Sequence, residues 1–248
     1  WIPLYIASSN GHEKTVQCLV QGGAEINRAD NIGRTPLYSA SIKGLETTVD
    51  LLVKCGAEVN GVERRGWTPL HAASFNGHQK TVEYLAKHGA KVNRANKDGK
   101  TPLYLASLSS CEKIIACLVK CGADINYTDN DGCTPLYAAS ENGRTKIVEF
   151  LVKCGAEINR ADTRGRTPLY AASLKGREQV IEWLVKLGAE INRADETGET
   201  PLYAASLYGH EKTVECLLKC GAEINRADKD GRTPVYAAWR RDHEKVIK

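Results

Sequence analysis

Three cysteines near the middle of the chain, Cys111, Cys117 and Cys121, are the first residues whose types could do chemistry. Thiolates are good zinc ligands, and two cysteines four residues apart share one face of a helix. The same helix pulls the set apart. Cys111 lies near the turn before it, and Cys121 lies roughly 10 Å beyond its start at 1.5 Å per residue. One metal needs every sulfur within about 2.3 Å. The three read as structural or surface thiols, and neither metal nor cofactor is expected. Cys55, Cys121, Cys154 and Cys220 recur at multiples of one fixed interval. Helices packed side by side run about 8–10 Å apart, beyond the Cα separation of about 7 Å that a disulfide spans. Cys18, Cys117 and Cys216 alternate with Leu51, Tyr84, Phe150 and Trp183 at another recurring position. Exchange among apolar types at one position indicates packing, not reactivity.

His12, His78, His210 and His243 also recur with the interval, each after a glycine or its replacement. Catalysis has no use for four equivalent copies, whereas a turn that needs an imidazole bonded to backbone does. Asn126-Tyr127-Thr128 matches a glycosylation acceptor. It falls inside a repeated segment, and chance explains it. The chain has no phosphate-cradling glycine loop ending in lysine, no paired-histidine zinc helix and no nucleophile elbow. No enzymatic activity is expected.

Composition agrees. Hydrophobic residues make up 42% and charged residues 26%, as in a globular chain rather than a disordered one. The formal charge of +4 is too small to argue for nucleic acid or membrane by itself. No apolar run approaches the roughly 18 residues of a membrane helix, and no basic–apolar–small signal segment opens the chain. Methionine is absent, so the chain reads as a processed product or an excerpt. Nine cysteines, an odd number in no compact framework, suggest a reducing, cytoplasmic setting.

The interval is 33 residues. Thr-Pro stands at 35, 68, 101, 134, 167, 200 and 233, with Ile2-Pro3 where one more copy belongs. The units are 2–34, 35–67, 68–100, 101–133, 134–166, 167–199, 200–232 and a truncated 233–248. A fixed period over 1–248 predicts one domain made of stacked units. In the unit 134–166, Thr134 is placed to cap a helix through its hydroxyl, and Pro135 suits the first helical position. Small Ala138, Ala139 and Ser140 allow close packing, and Gly143 stops this helix. A second helix carries Ile147, Val148, Leu151 and Val152 at helical spacing. Gly155 is placed to end it in a left-handed conformation. Asp162-Thr163-Arg164-Gly165 reads as a turn. Helices of about ten residues are marginal alone, so stacking must stabilise them.

These features together resemble the ankyrin repeat: the 33-residue period, Thr-Pro-Leu-Tyr, a mid-unit Gly-His and Gly-Ala-Glu-Ile-Asn. The resemblance covers essentially the whole chain. It implies an all-α solenoid of helix-turn-helix units with protruding β-hairpin-like turns. One departure is systematic: the family has His after Thr-Pro-Leu, and here only His71 keeps it. Tyr5, Tyr38, Tyr104, Tyr137, Tyr170, Tyr203 and Tyr236 replace it, which affects the polar bonds that His makes between hairpin and helix. The resemblance further implies a non-catalytic scaffold whose concave groove, lined by turns and first helices, binds a protein partner. Asn27, Asn60, Asn93, Asn126, Asn159, Asn192 and Asn225 match the position hydroxylated in some relatives. An asparagine that holds the backbone before the turn is the preferred account of them.

Variation between units points to the partner-binding positions. Turn tips offer Arg64, Arg65 and Trp67, then Lys97, Asp98 and Lys100, then Asn130, Asp131 and Cys133, then Arg164 and Arg166. First-helix ends offer Ile42, Phe75, Asn76, Leu108 and Glu141. Partly exposed Trp67, Phe75, Ile42 and Leu108 would suit an interface. Ser110-Cys111 also replaces Gly-His in one unit. Arg28, Arg64, Arg65, Arg94, Arg160, Arg164, Arg193 and Arg226 interleave with Asp30, Glu63, Asp162, Asp195 and Asp228, so nucleic acid is not the expected partner. The expectation is a monomeric protein-binding scaffold without membrane contact. A regulatory stack of a channel, enzyme or ubiquitin-system protein, or an engineered binder, remains the alternative.

Overall fold

The computed structural model describes residues 2–109 and 111–247. Ser110, half of the Ser-Cys replacement, lies outside them. The described residues form helices and turns and no strand, as the sequence predicts. Two compact units divide the chain, 1–130 and 131–248.

The first unit holds α1 (Pro3–Ser9), α2 (Glu13–Gln21), α3 (Pro36–Ile42), α4 (Glu46–Lys54), α5 (Pro69–Phe75), α6 (Gln79–Lys87), α7 (Pro102–Ser107) and α8 (Glu112–Lys120). The second holds α9 (Pro135–Glu141), α10 (Thr145–Lys153), α11 (Pro168–Leu174), α12 (Glu178–Lys186), α13 (Pro201–Leu207), α14 (Glu211–Lys219), α15 (Pro234–Arg240) and α16 (Glu244–Ile247). Each odd-numbered helix pairs with the helix that follows it. Within each unit, odd helices stack on odd and even on even. No described helix is long and apolar enough to cross a membrane.

The sequence dictates where these helices begin and end. In α9 the Thr134 hydroxyl accepts the main-chain N–H of Tyr137, 3.1 Å away, and Pro135 opens the helix. The same cap starts α3, α5, α7, α11, α13 and α15. Gly143 and Gly155 follow the two helices of one repeat with φ of 70° and 97°, a region that a side chain disfavours. At Gly165, φ 79°, an added Cβ would also stand 2.9 Å from the main-chain nitrogen of Glu196. Two turns approach there as closely as backbones can.

The core runs between the stacked layers. Ala72, Ala73, Ala138, Ala139, Ala171 and Ala172 are fully buried, so the odd helices touch almost backbone to backbone. Leu85, Leu118, Leu151 and Leu184 are buried on the even helices. Each contributes roughly 2 kcal/mol by leaving water. Ile147 and Val148 are buried as the spacing requires, whereas Val152 stands at the edge, half-buried. Helices of seven and nine residues cannot hold themselves. Burial between neighbours supplies what length does not.

Candidate functional site

The turns are built by one acidic or amide side chain each. Asp162 Oδ1 accepts the main-chain N–H groups of Arg164 and Arg166, both at 2.9 Å. Its Oδ2 takes the Arg166 guanidinium, with Nε at 2.8 Å. Asp30 holds Arg34, and Asp228 holds Arg232, in the same way. At Asp30 burial opposes ionisation. The hydrogen bonds from Arg34 and Ile32 outweigh it and hold the carboxyl below its ordinary range. Successive turns are then tied main chain to main chain. The N–H of Arg64 donates to Ile32 O, that of Lys97 to Arg65 O, and that of Asn130 to Asp98 O; in the second unit that of Thr163 donates to Asp131 O and that of Glu196 to Arg164 O.

Two turns of the first unit break the Asp–Arg pattern. In 63–67 the capping group is Glu63, whose Oε1 accepts the N–H groups of Arg65 at 2.8 Å and Trp67 at 3.1 Å. Trp67 stands where the paired arginine would be. In 96–100 the capping group is neutral Asn96, whose Oδ1 accepts from Asp98 and Lys100. Lys100 has no carboxylate there and lies 5.3 Å from the Tyr104 ring centre. Arg64 donates to the Asn31 carbonyl at 3.2 Å. Arg64, Arg65 and Lys97 are exposed.

The aromatic residues at this place meet. Trp67 and Phe75 pack edge to face, 5.5 Å between ring centres at 74°. Trp67 also tilts over His71 at 6.2 Å. Phe75, the last residue of α5, is 47% exposed, and Trp67 is half-buried. Beside them Asn76 is exposed but spends its amide on Ala72 O at 2.8 Å. Ile42, ending α3, is 36% exposed, and Leu108, just past α7, is half-buried.

The remaining sequence-predicted positions divide. Lys97, Asp98, Asn130, Asp131 and Arg164 are exposed. Asn130 donates its amide to Lys97 O. Arg166 is bound to Asp162, and Glu141 lies 3.7 Å from Lys175. Cys133 is buried, at 9% exposure. It occupies the place of Trp67 and Lys100, but a thiol is too short to pass its neighbours. It sits close enough to Tyr137 to influence that hydroxyl.

Several polar residues join neighbouring repeats. His78 Nε2 meets Ile42 O at 3.0 Å, His210 meets Leu174 O at 3.0 Å, and His243 meets Leu207 O at 3.1 Å. Arg177 Nε reaches Glu141 O in the same way. Asn60 accepts the N–H of Lys91 and donates to Gly89 O; Asn93 does the same with Asp124 and Gly122. These asparagines therefore clamp one repeat to the next. Sequence reasoning missed the Tyr170 hydroxyl, which donates to Glu199 Oε2 at 2.9 Å. Burial, then the Asp195 and Asp228 charges, hold Glu199 above the ordinary carboxylate range despite that bond. The sequence signal was positional: Tyr170 and Glu199 stand where His71 and Lys100 stand three repeats earlier, and the same 29-residue reach joins His71 to Lys100 O. Among the described residues no three Cys, His, Asp or Glu side chains gather as a metal site would require.

Comparison with known proteins identifies the architecture. A family model described as ankyrin repeats (3 copies) matches residues 1–63, 47–129, 113–195 and 188–248. No curated protein sequence matches. Among solved structures, the crystal structure of the human ASB11 ankyrin repeat domain is similar, with 27% identity and a TM-score of 0.77. The match covers 83% of this chain and 92% of that one. Matched from end to end by the family model and built of stacked helix pairs, the chain belongs to the ankyrin repeat family.

Proposed function

We propose that this protein is a binding scaffold that takes a protein partner on the first-helix and turn side of its first compact unit, centred on Trp67 and Phe75. Ankyrin repeats are generally protein–protein interaction modules, and their fold is a non-catalytic scaffold. The observation that carries the local assignment is the edge-to-face Trp67–Phe75 pair with Phe75 half exposed. A fold that buries Leu70, Ala72 and Ala73 completely on the same helix has no packing need for an exposed aromatic there. Interface energy concentrates in a few aromatic or arginine anchors, each losing about 2 kcal/mol or more on truncation. Asn76 follows Phe75 directly, and Ile42, 36% exposed, holds the equivalent place one repeat earlier. The scaffold works as a monomer in a reducing, cytoplasmic compartment, where its cysteines stay as thiols.

A photo-crosslinking residue at Asn76 tests this reading, with a second probe at Lys54 on α4 as the contrast. Partners identified by mass spectrometry should join the Asn76 probe and be lost in Trp67→Ala/Phe75→Ala, while circular dichroism stays native. Capture through Lys54 alone, or capture that survives the double substitution in a folded protein, would place the binding face elsewhere.

A further inference from the structure

Around the Trp67–Phe75 pair the charge is unlike that of the turns where an aspartate pairs with an arginine. Asp30, Asp162 and Asp228 each neutralise an arginine four residues on. The turns 63–67 and 96–100 lack that pairing, because Trp67 replaces the arginine in one and Asn96 replaces the aspartate in the other. The result is a row of cations, Arg64, Arg65, Lys97 and Lys100, and no salt bridge among the described residues engages any of them. The main-chain bond from Lys97 N–H to Arg65 O, 2.9 Å long, sets Arg65 and Lys97 side by side on adjacent turns. The Glu63 carboxylate that caps the first of these turns has one oxygen occupied by two backbone N–H groups. Asp98 is the one exposed carboxylate within the row. The equivalent turn 195–199 carries Asp195, Glu196 and Glu199 instead, so the basic character is particular to this place and not a property of the repeat.

We infer that this face takes an acidic peptide segment carrying one bulky apolar side chain, the apolar group seated on Phe75 and Trp67 and the carboxylates on Arg64, Arg65, Lys97 and Lys100. The inference rests on the reading of this face as protein-binding and adds the chemistry of the partner. Carboxylates beside guanidinium and ammonium groups form charge-assisted hydrogen bonds, and the unneutralised row steers them in. An exposed aromatic edge gives an apolar anchor a place to leave water. Nucleic acid fits less well: Asp98 and Glu63 interrupt a short row, where a continuous phosphate backbone would meet them.

A library of short random peptides displayed on phage is the probe. It is panned on the intact chain, on Arg65→Glu/Lys97→Glu and on Trp67→Ala/Phe75→Ala, each checked for native unfolding. Peptides selected on the unaltered protein should be rich in Asp and Glu around a bulky apolar residue. They should bind the charge-reversed variant more than about tenfold more weakly, the loss expected of interface anchors, and with a shallower salt dependence. An absence of acidic enrichment, or enrichment that survives the charge reversal, would overturn the inference. Peptides that need Phe75 but no acidic residues would sink it while leaving the binding face in place. Indifference to both pairs of substitutions would remove the face as well. Single-stranded RNA is titrated in parallel, and RNA binding tighter than the best peptide would also overturn the assignment. The exposed turn residues Arg65 and Lys97 make no core contact, so their variant remains informative if the aromatic one unfolds.

Discussion

His71 Nδ1 stands 3.1 Å from the main-chain nitrogen of Thr68, and its Nε2 stands 3.1 Å from the carbonyl oxygen of Lys100. The Thr68 N–H can only donate, so Nδ1 accepts and the ring proton sits on Nε2, where it donates to Lys100. The imidazole thereby completes a capping box with the Thr68 hydroxyl and fastens α5 to the turn that ends its repeat. A second ring proton would have to displace the Thr68 N–H.

Burial, above all, lowers the His71 pKa to about 4. The unfolded chain, with an ordinary value near 6.5, binds the proton between those limits and the folded chain does not. Stability from this residue is therefore complete above about pH 6.5, falls as pH drops and is lost by about pH 4. The swing is about 3 kcal/mol. His71→Tyr, the side chain that other repeats carry, should lower stability at neutral pH and flatten the acid-side slope. Urea unfolding of both proteins at several pH values between 4 and 7 measures this. Parallel slopes would show that His71 does not titrate as placed.

Thr48, Thr81 and Thr213 occupy one position on three even helices, are buried, and have hydroxyl oxygens that meet no hydrogen-bond partner among the described residues. Ile114, Ile147 and Val180 occupy the same position elsewhere and are buried without that penalty. A buried, unsatisfied hydroxyl costs roughly 1–3 kcal/mol. Thr81→Val keeps the shape and removes the oxygen, so it should stabilise the protein by about 1 kcal/mol. A higher urea midpoint with an unchanged slope is the expected reading, and a lower midpoint would mean that the hydroxyl has a partner.

The elements that local chemistry determines were legible in the sequence. Thr134 caps, Pro135 starts, Gly155 stops and Leu151 is buried because each depends on residues within a few positions. The ties between repeats were not. Asn93 reaching Gly122 and His78 reaching Ile42 depend on how one helix pair sits on the next, and no single repeat encodes that. Variation picked out Phe75, the one aromatic ring at a position where other repeats carry aliphatic or polar side chains, and the structure leaves it 47% exposed. The same reasoning picked out Cys133, whose side chain is buried: variability marks a position, whereas side-chain length decides what reaches the surface there. At Tyr170 the polar tie of the replaced histidine survives in changed form, with the Glu199 carboxylate in place of a carbonyl partner.

Cysteine reactivity gives the last test. Cys117 and Cys216 stand at equivalent places on α8 and α14, each four residues before a second cysteine. Burial, then the neighbouring thiols Cys121 and Cys220, push both up to about 11. The thiolate is the reactive form. At pH 8 such a thiol is ionised to about one part in a thousand, roughly two orders of magnitude less than an ordinary cysteine near 8.5. Iodoacetamide labelling of Cys117 and Cys216, followed by mass spectrometry, should therefore be slow at pH 8. It should accelerate about tenfold per pH unit toward pH 11, where an ordinary thiol has already levelled off. Cys121→Ala removes the neighbouring thiol and should speed labelling at Cys117 but not at Cys216. A labelling rate for Cys117 that levels off below pH 9 would show that burial does not govern this site, and one indifferent to Cys121→Ala would show that the paired thiol does not.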